Sequence, residues 1–513
     1  MVEKELSYII SRKLEERDKR KMKKNQIIIF IVEFIAMAIE ICMSYILSPY
    51  FGNSNIVWTG VVSVILLSNS IGNWIGGVFK KNRAGQMLLL STLFLSISLC
   101  VAPLLSYWMC RLPIDNTISA ILTTVILLLP CEICIGTIPS QIMRNETSKS
   151  PEGKRIGIIY ALSTVGGVVG SILSGFILIP KLGADITLSL CIGLLLLTGL
   201  IVRIINTSER LNPYHFFAPF IQAVITIGMV ILYFYGNLNA ITSIGISDNA
   251  SFYVSADSEY SRIEAYDGYY KGDPVRIMKI GTGLESASYR TEDKKFDMVF
   301  DYCKAGAAIT QQLGKVDADM LIIGGGAYQI PKYYLAHTDY NIDVIEIDDK
   351  ITEIASKYFY LDECIERYDR EQTRFVNINM DAKVFLNNNK TIYDYILNDA
   401  FSGIDPVRTL TTVETVRQIK AALSDKGVYM TNLIASKNGP RSKFLQAEAN
   451  TIAQVFKHVY VIHVDPDNTA GEDTVINSWI IASDHTLPLM NEYDYTDGLV
   501  ITDNYCPIEL LLR

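Results

Sequence analysis

The sequence holds few of the residues on which metal sites and disulfide frameworks depend. Its 513 residues include five histidines and nine cysteines. The histidines are scattered, and no cysteine spacing is typical of a zinc site or a disulfide framework. The run "CEIC" at 131–134 has redox-motif spacing, but it lies inside an apolar stretch where helix packing explains it. We therefore expect no metal.

The sequence also lacks an excess of basic residues. Its formal net charge is −8, so the charge gives no reason to expect a nucleic-acid partner. Half of the residues are nevertheless hydrophobic. This combination predicts a membrane portion joined to an acidic soluble portion, and the chain is too long for one ordinary domain.

Long apolar runs occupy most of residues 26–237. Seven stretches of about 20 residues are each long enough to cross a bilayer as a helix. The first is too long for a cleavable signal peptide. We predict a basic tail over 1–25 and a transmembrane domain over 26–237, with spans near 26–49, 54–79, 86–108, 116–140, 156–180, 184–206 and 215–236.

The basic residues predict the orientation of these spans. "RDKRKMKK" (17–24) precedes the first span and "KKNR" (80–83) follows the second, whereas the opposite loops carry only Arg111 and Lys181. By the positive-inside rule the N-terminus is cytoplasmic. Seven crossings then place the soluble half on the extracytoplasmic side of a multi-pass cell-membrane protein.

Small residues recur at four-residue spacing within the fifth apolar stretch. Such rows allow two membrane helices to approach closely. We therefore expect tight helix packing along two rows, Ser163, Gly167, Ser171 and Gly175, and Gly166, Gly170 and Ser174.

Three acidic residues lie within the apolar stretches. They are Glu33, Glu40 and Glu132, and a carboxylate in hydrocarbon is costly and usually faces a bundle interior or a polar cavity. Glu33 and Glu40 are seven residues apart and so share a helix face. One interpretation is a site for a cation or polyamine. The other is neutral, hydrogen-bonded structural acids, or residues nearer the interface.

The second half has a different texture. A small β-rich antiparallel region is predicted over 250–310, and alternating strands and helices follow over 311–513. That alternation predicts a Rossmann-like α/β domain with a doubly wound, mainly parallel sheet. The predicted strands are 319–326, 341–348, 374–381, 393–400, 426–434, 458–464 and 478–483.

A glycine-rich loop follows the first of these strands. Gly324, Gly325 and Gly326 precede a helical run, but a dinucleotide loop would have its third glycine where Gln329 stands. The lysine and Ser/Thr pair of a phosphate loop is also absent. The loop therefore favours close backbone approach to a nucleoside over a pyrophosphate cradle.

Acidic residues end the next three strands. Glu346, 20 residues after Gly326, can accept hydrogen bonds from both ribose hydroxyls. Asp381 can pair with an adenine amino edge, although each acid alone could be a solvated loop residue. Asp399 can orient and deprotonate an amine, or it can cap a turn. Ligands bind beyond the carboxyl ends of parallel strands, so the set predicts an adenosyl ligand without pyrophosphate.

The motifs resemble those of a known family. "LIIGGGAYQIPKYYL", "DVIEIDDKITEIASKYF", "NMDAKVFL" and "YDYILNDAFSGIDPVRTLTTVET" occur in order, as in the polyamine aminopropyltransferases, spermidine synthase and its relatives. The chain is most similar to the bacterial subgroup with a fused multi-spanning membrane domain. "DSEYSRIEAYD" (257–267) resembles the hairpin that begins the family's domain. The resemblance covers most of 250–485.

The resemblance implies a methyltransferase-type Rossmann fold and a transferase. In the family an amine attacks the aminopropyl carbon of decarboxylated S-adenosylmethionine and releases methylthioadenosine. The matching positions give Gly324–Gly326 beside the nucleoside, Glu346 at the ribose, Asp381 and Ala382 at adenine, and Asp399 at the attacking amine. The co-substrate is then S-adenosylmethionine or its decarboxylated form.

The chain departs from the family's pattern at several positions. Ala327 stands where the family has an aspartate for the aminopropyl ammonium, and "FDYCK" (300–304) replaces a Tyr-His-Glu stretch. Ser402 stands where a second carboxylate is usual, which Asp405 could replace if the loop bends. The remaining candidates for substrate contact are Tyr260, Tyr302, Tyr328 and Asp405.

Three functions follow from these residues. The first is aminopropyl transfer to an amine, and the second is methyl transfer or other chemistry on an S-adenosyl sulfonium. The third is a non-catalytic sensor or transporter of a polyamine or nucleoside. The expected partners are a small amine or polyamine, the lipid bilayer and a second copy of the chain in a homodimer, with no nucleic acid. An extracytoplasmic site conflicts with a cytoplasmic co-substrate, unless a stretch does not cross or the substrate reaches that side.

Overall fold

The computed structural model describes most of the chain, in two units. One comprises residues 1–244 with 256–261, and the other 245–255 with 262–513. The segment 241–251, where the predicted β-rich region begins, lies outside the described residues. These are 2–51, 55–79, 82–147, 152–206, 214–240, 252–281, 283–402, 405–489, 492–494 and 498–511.

The first unit is helical. Seven of its described helical segments are long and apolar enough to cross a membrane, and each overlaps a predicted span. A short π-helical turn over Ser174–Leu178 interrupts the fifth segment. The helices are α1 (Val2–Phe51), α2 (Asn55–Val78), α3 (Ala84–Met109), α4 (Asn116–Thr147), α5 (Glu152–Leu173), α6 (Ile179–Leu182), α7 (Ala184–Asn206) and α8 (Tyr214–Ala240).

Helix α1 lies at the centre of this unit. It packs against α3, α4, α5 and α7, and most of its apolar residues from Ile28 to Phe51 are buried. Glycines allow α5 to approach it closely. A Cβ atom on Gly166 would lie 2.5 Å from the Phe30 carbonyl oxygen, and one on Gly170 would lie 2.4 Å from the Phe34 carbonyl oxygen. This row of small residues is therefore a helix-packing row, as predicted.

The second unit begins with a small antiparallel sheet. Its strand order is sequential. Lys271 and Gly272 form the tight turn between its second and third strands, with φ of 49° and 88°, a left-handed region that suits such turns. The strands are β1 (Tyr253–Asp257), β2 (Arg262–Tyr270), β3 (Asp273–Ile280) and β4 (Gly283–Tyr289).

A seven-stranded mixed sheet forms the centre of the second unit, in the order β12-β13-β11-β8-β5-β6-β7. Neighbours from β11 to β7 pair in parallel, whereas β13 is antiparallel to β11 and β12. The strands are β5 (Asp319–Ile323), β6 (Asn341–Glu346), β7 (Phe375–Asn379), β8 (Tyr393–Asn398), β11 (Leu423–Ser436), β12 (His458–His463) and β13 (Val475–Ser483), with a two-residue pair β9 (Phe401–Ser402) and β10 (Asp405–Pro406).

Both faces of this sheet are covered. Leu321 and Ile323 belong to one buried cluster, whereas Met320 and Ile322 belong to another, because successive side chains of a strand point to opposite faces. The covering helices are α9 (Asp301–Leu313), α10 (Gln329–His337), α11 (Asp349–Tyr358), α12 (Leu361–Tyr368), α13 (Ala382–Asn388), α14 (Val413–Ala421), α15 (Lys443–Ala453) and α16 (Ile508–Leu511).

This architecture confirms the predicted fold class. An α-helical unit with seven long apolar segments is followed by a Rossmann-like, methyltransferase-type domain that a small β unit precedes. Strand β5 pairs with β6 on one side and with β8 on the other. Successive strands are thus added on one side of β5 as far as β7 and then on its other side from β8. The carboxyl ends of strands at such a switch point are where open α/β sheets bind ligands.

Candidate active site

The glycine loop turns sharply out of β5. Gly324 and Gly326 have φ of 97° and 53°, which glycine adopts without the strain that a side chain would impose. A Cβ atom on Gly324 would also lie 2.7 Å from the Asp399 carbonyl oxygen. Glycine at this position therefore allows the ends of β5 and β8 to approach closely, which brings the loop beside Asp399.

Glu346 lies against the same loop. Its Oε2 accepts a hydrogen bond from the Gly325 N–H at 2.8 Å, and its Oε1 accepts one from the Asp348 N–H at 3.0 Å. Burial raises the pKa of Glu346, while these N–H donors oppose the shift. Each carboxylate oxygen can accept more than one hydrogen bond. A pair of ligand hydroxyls could therefore still be bound here.

Asp381 lies at the start of α13. Its Oδ1 accepts a hydrogen bond from the Val384 N–H at 2.9 Å, which caps the helix. Ala382, the next residue, is buried. An aspartate at this position can cap the helix without any ligand being bound. Adenine binding by Asp381 and Ala382 therefore stays a prediction.

Asp399 directly follows β8 and receives two side-chain hydrogen bonds. Asn432 Nδ2 donates to Oδ1 at 2.8 Å, and the Tyr302 hydroxyl donates to Oδ2 at 3.1 Å. Burial raises the pKa of Asp399 to about 7, although both donors oppose the shift. Its side chain does not cap a helix in this arrangement. A half-buried carboxyl with this pKa can take up a proton near neutral pH.

Residues that the sequence analysis did not single out hold this carboxyl in place. Asn432, on β11, accepts a hydrogen bond from Asn477 Nδ2 at 3.2 Å. Trp479 Nε1 donates to the Tyr302 carbonyl oxygen at 2.9 Å. The sequence did contain a signal for Asn432, because a buried amide within the apolar strand "KGVYMTNLI" requires a polar partner.

The Tyr328 side chain lies inside the domain rather than at its surface. It is fully buried, and its hydroxyl is hydrogen-bonded to Asn377 Oδ1 at 2.6 Å and to Thr352 Oγ1 at 2.7 Å. Because the Tyr328 side chain has no exposed surface, its burial does not support the predicted contact with substrate. Ala327 is also fully buried, and it brings no carboxylate to the end of the glycine loop.

The loop after Asp399 bends back on itself. Asp405 pairs with Ser402 through the two short strands β9 and β10. The side chains of both residues lie outside the described set. Tyr260 lies in the turn between β1 and β2 and is 49% exposed. The roles of Asp405 and Tyr260 at substrate stay predictions.

The fold and the site together define a class of α/β domain that binds a ligand at the edge of its sheet. A Rossmann-like α/β domain carries two acids, Glu346 and Asp399, against one glycine turn at the carboxyl edge of its sheet. Within the described residues no group of His, Cys, Asp or Glu side chains could hold a metal ion. The polar groups at this edge suit an organic ligand with hydroxyls and an amine.

Residues 291–466 match the model of the spermine/spermidine synthase domain. The predicted resemblance is therefore confirmed, and the C-terminal region is similar to this domain. Asp399, Glu346 and the glycine turn all lie within the matched residues.

Known relatives agree with this match. The "Probable polyamine aminopropyl transferase" of Bifidobacterium longum (strain NCC 2705) is 28% identical over 178 residues, 34% of this chain and 36% of the relative. This chain thus spans only about a third of that relative's length. The "Polyamine aminopropyltransferase 2" of Aquifex aeolicus (strain VF5) is 20% identical over 411 residues, 79% of this chain and 77% of the relative. That match is longer than the C-terminal unit, so it includes part of the helical unit.

One solved structure shows a limited similarity to this chain. A probable spermidine synthase from Corynebacterium glutamicum ATCC 13032 is 20% identical and covers 46% of this chain and 81% of its own, with a TM-score of 0.39. Both named relatives are described as polyamine aminopropyl transferases, which agrees with the predicted resemblance.

Proposed function

We propose that the C-terminal domain transfers an aminopropyl group from decarboxylated S-adenosylmethionine to a small amine or polyamine. The observation that carries the proposal is Asp399, a half-buried carboxyl whose pKa is raised to about 7 and whose oxygens are held by Tyr302 and Asn432. Its position beside a glycine turn and Glu346 supports a reaction next to a bound nucleoside.

Each residue has a defined task in this proposal. Glu346 accepts hydrogen bonds from the ribose hydroxyls, and Gly324–Gly326 let the nucleoside approach the backbone. Asp381 and Ala382 contact adenine. Asp399 accepts a proton from the incoming ammonium group and keeps the freed amine aligned, which is most of what a reaction with a good leaving group requires.

The chemistry balances without a further reactant. The nitrogen lone pair forms a bond to the carbon next to the sulfonium, and the carbon–sulfur bond breaks. Its electron pair neutralises the sulfur, so that methylthioadenosine leaves and the proton passes through Asp399 to solvent.

Ala327 favours a different group donor as the second candidate. The family's aspartate at this position would bind the aminopropyl ammonium, and the buried alanine supplies no such charge. Intact S-adenosylmethionine, and with it methyl transfer to an amine, is therefore the second candidate. The helical unit is compatible with a multi-pass membrane protein, and we propose membrane anchoring of the transferase.

Calorimetry tests the nucleoside site directly. Full-length protein in detergent should bind methylthioadenosine, and Glu346→Gln should weaken binding by about tenfold or more, because hydrogen bonds to a charged group contribute about 1.5–3 kcal/mol. Glu353→Gln, which removes an exposed carboxylate on α11, is the matched control. If the Glu346 and Glu353 variants bound methylthioadenosine with equal affinity, Glu346 would not be part of the nucleoside site.

A further inference from the structure

The helical unit contains three acidic side chains that the transferase reaction does not use. Glu33 and Glu40 lie on the central helix α1, and Glu132 lies on α4, which packs against it. Glu40 and Glu132 are both buried, and the helices that carry them pack against each other. The three acids therefore lie in one helical bundle.

Glu132 is the unusual one of the three. It is fully buried, and neither of its carboxyl oxygens has a hydrogen-bond partner among the described residues. Glu33, by contrast, is hydrogen-bonded to Ser163. A buried polar group without a partner is costly, and acids retained inside a membrane bundle commonly mark a ligand pathway. Glu132 therefore points to a ligand that supplies N–H donors and positive charge.

The spacing of the acids favours an extended cation. Glu33 and Glu40 are separated by about 10 Å along the helix axis, since each residue rises 1.5 Å. A single metal ion holds its oxygen ligands within about 2.6 Å and cannot span that separation. Ala36, which lies between them on the same side of α1, is apolar and buried.

A linear polyamine has the same alternation of charged and apolar groups. Its ammonium groups are separated by methylene segments, which suit the apolar Ala36 between the acids. We propose that Glu33, Glu40 and Glu132 form a binding site for a linear polyamine cation inside the helical unit. This site is additional to the candidate active site and does not rest on the transferase reaction.

Equilibrium binding of radiolabelled spermidine to the full-length protein in detergent tests the site. Glu40→Gln/Glu132→Gln should lose one bound spermidine per chain, or bind it about tenfold more weakly or worse, because two charge-assisted hydrogen bonds are removed. Glu353→Gln should bind like the wild type. Unchanged stoichiometry and affinity in the double variant would overturn the proposal.

A labelling measurement on the unmodified protein guards against misfolding of the variants. Dicyclohexylcarbodiimide should modify Glu132, located by mass spectrometry, and saturating spermidine should reduce that modification several-fold. Equal protection by sodium chloride at matched ionic strength would indicate a small-cation site and overturn the polyamine proposal, as would no protection by either.

The same labelling separates this site from the transferase. Asp399→Asn should keep spermidine protection of Glu132. Loss of protection in that variant would assign the bound spermidine to the candidate active site and overturn the proposal. If methylthioadenosine release is never detected while protection persists, the transferase proposal fails and the polyamine site stands.

Discussion

Asp399 is the residue on which the proposed chemistry depends. Burial raises its pKa to about 7 from an ordinary value of 3.8, so it is a stronger base than an exposed aspartate. Tyr302 and Asn432 orient both of its oxygens. A carboxyl placed in this way can accept a proton from an amine at neutral pH and return it to solvent.

Asp399→Asn should reduce turnover by about a hundredfold to ten-thousandfold, the usual contribution of a general base. Wild-type turnover should rise with pH through about 7 as Asp399 ionises, and the residual activity of the variant should lack that step. The pH dependence of kcat measures both effects. An unchanged pH profile in the variant would show that another group titrates.

Asp399→Asn should also stabilise the fold above neutral pH. The folded state holds the Asp399 proton more tightly than the unfolded state does. The ionised carboxyl therefore destabilises the folded state most once pH exceeds about 7. The gain in Tm of the variant should therefore be larger at pH 8 than at pH 5. A larger gain at pH 5 would contradict the raised pKa.

At the scale of elements, α1 and α5 approach closely because α5 presents glycine to the backbone of α1. Gly170 faces the Phe34 carbonyl oxygen at a distance that leaves no room for a Cβ atom. In lipid, such close packing replaces the hydrophobic effect as a source of helix association. Gly157, on the same helix, has no atom within 4 Å of its would-be Cβ.

This contrast gives a matched pair of variants. Gly170→Ala should lower the Tm of the detergent-solubilised protein, because the new methyl group collides with backbone. Gly157→Ala should leave Tm unchanged or raise it slightly, since alanine favours helix over glycine by about 1 kcal/mol. Thermal unfolding followed by far-UV circular dichroism compares them. Equal Tm values would show that the two helices separate easily at Gly170.

The elements differ in how far the sequence predicted them. The spans and the parallel strands were predictable because apolar length and strand–helix alternation are local signals. Glu346 and Asp399 were proposed as site residues because they lie where strands end. The hydrogen bonds of Asn432 and Asn477 depend on which strands are neighbours, and β13 pairs with β11 from a distance in sequence. Burial of Tyr328 depends on a left-handed backbone at that residue, which its residue type does not indicate.

At the scale of the whole molecule, membrane anchoring is a proposal, and the side on which the C-terminal domain lies is a prediction from charge. The positive-inside pattern places it on the extracytoplasmic side. Cys506 cannot report on this, because it is buried. Val316 is 74% exposed in the C-terminal domain and is a suitable position for a reporter.

Val316→Cys should react with a membrane-impermeant maleimide on intact cells. The wild-type chain, in which Cys303, Cys364 and Cys506 are buried, serves as the control for labelling within the C-terminal domain. Labelling of the variant only after lysis would place the domain in the cytoplasm and contradict the topology predicted from charge.

Transfer of the aminopropyl group is the central claim, and product formation measures it most directly. Full-length protein in detergent is incubated with decarboxylated S-adenosylmethionine and putrescine or spermidine, and methylthioadenosine and the extended amine are quantified by mass spectrometry. We predict equal amounts of both products from the wild type and almost none from Asp399→Asn. Binding of methylthioadenosine without product from either amine, or methylated amine from S-adenosylmethionine alone, would contradict the claim.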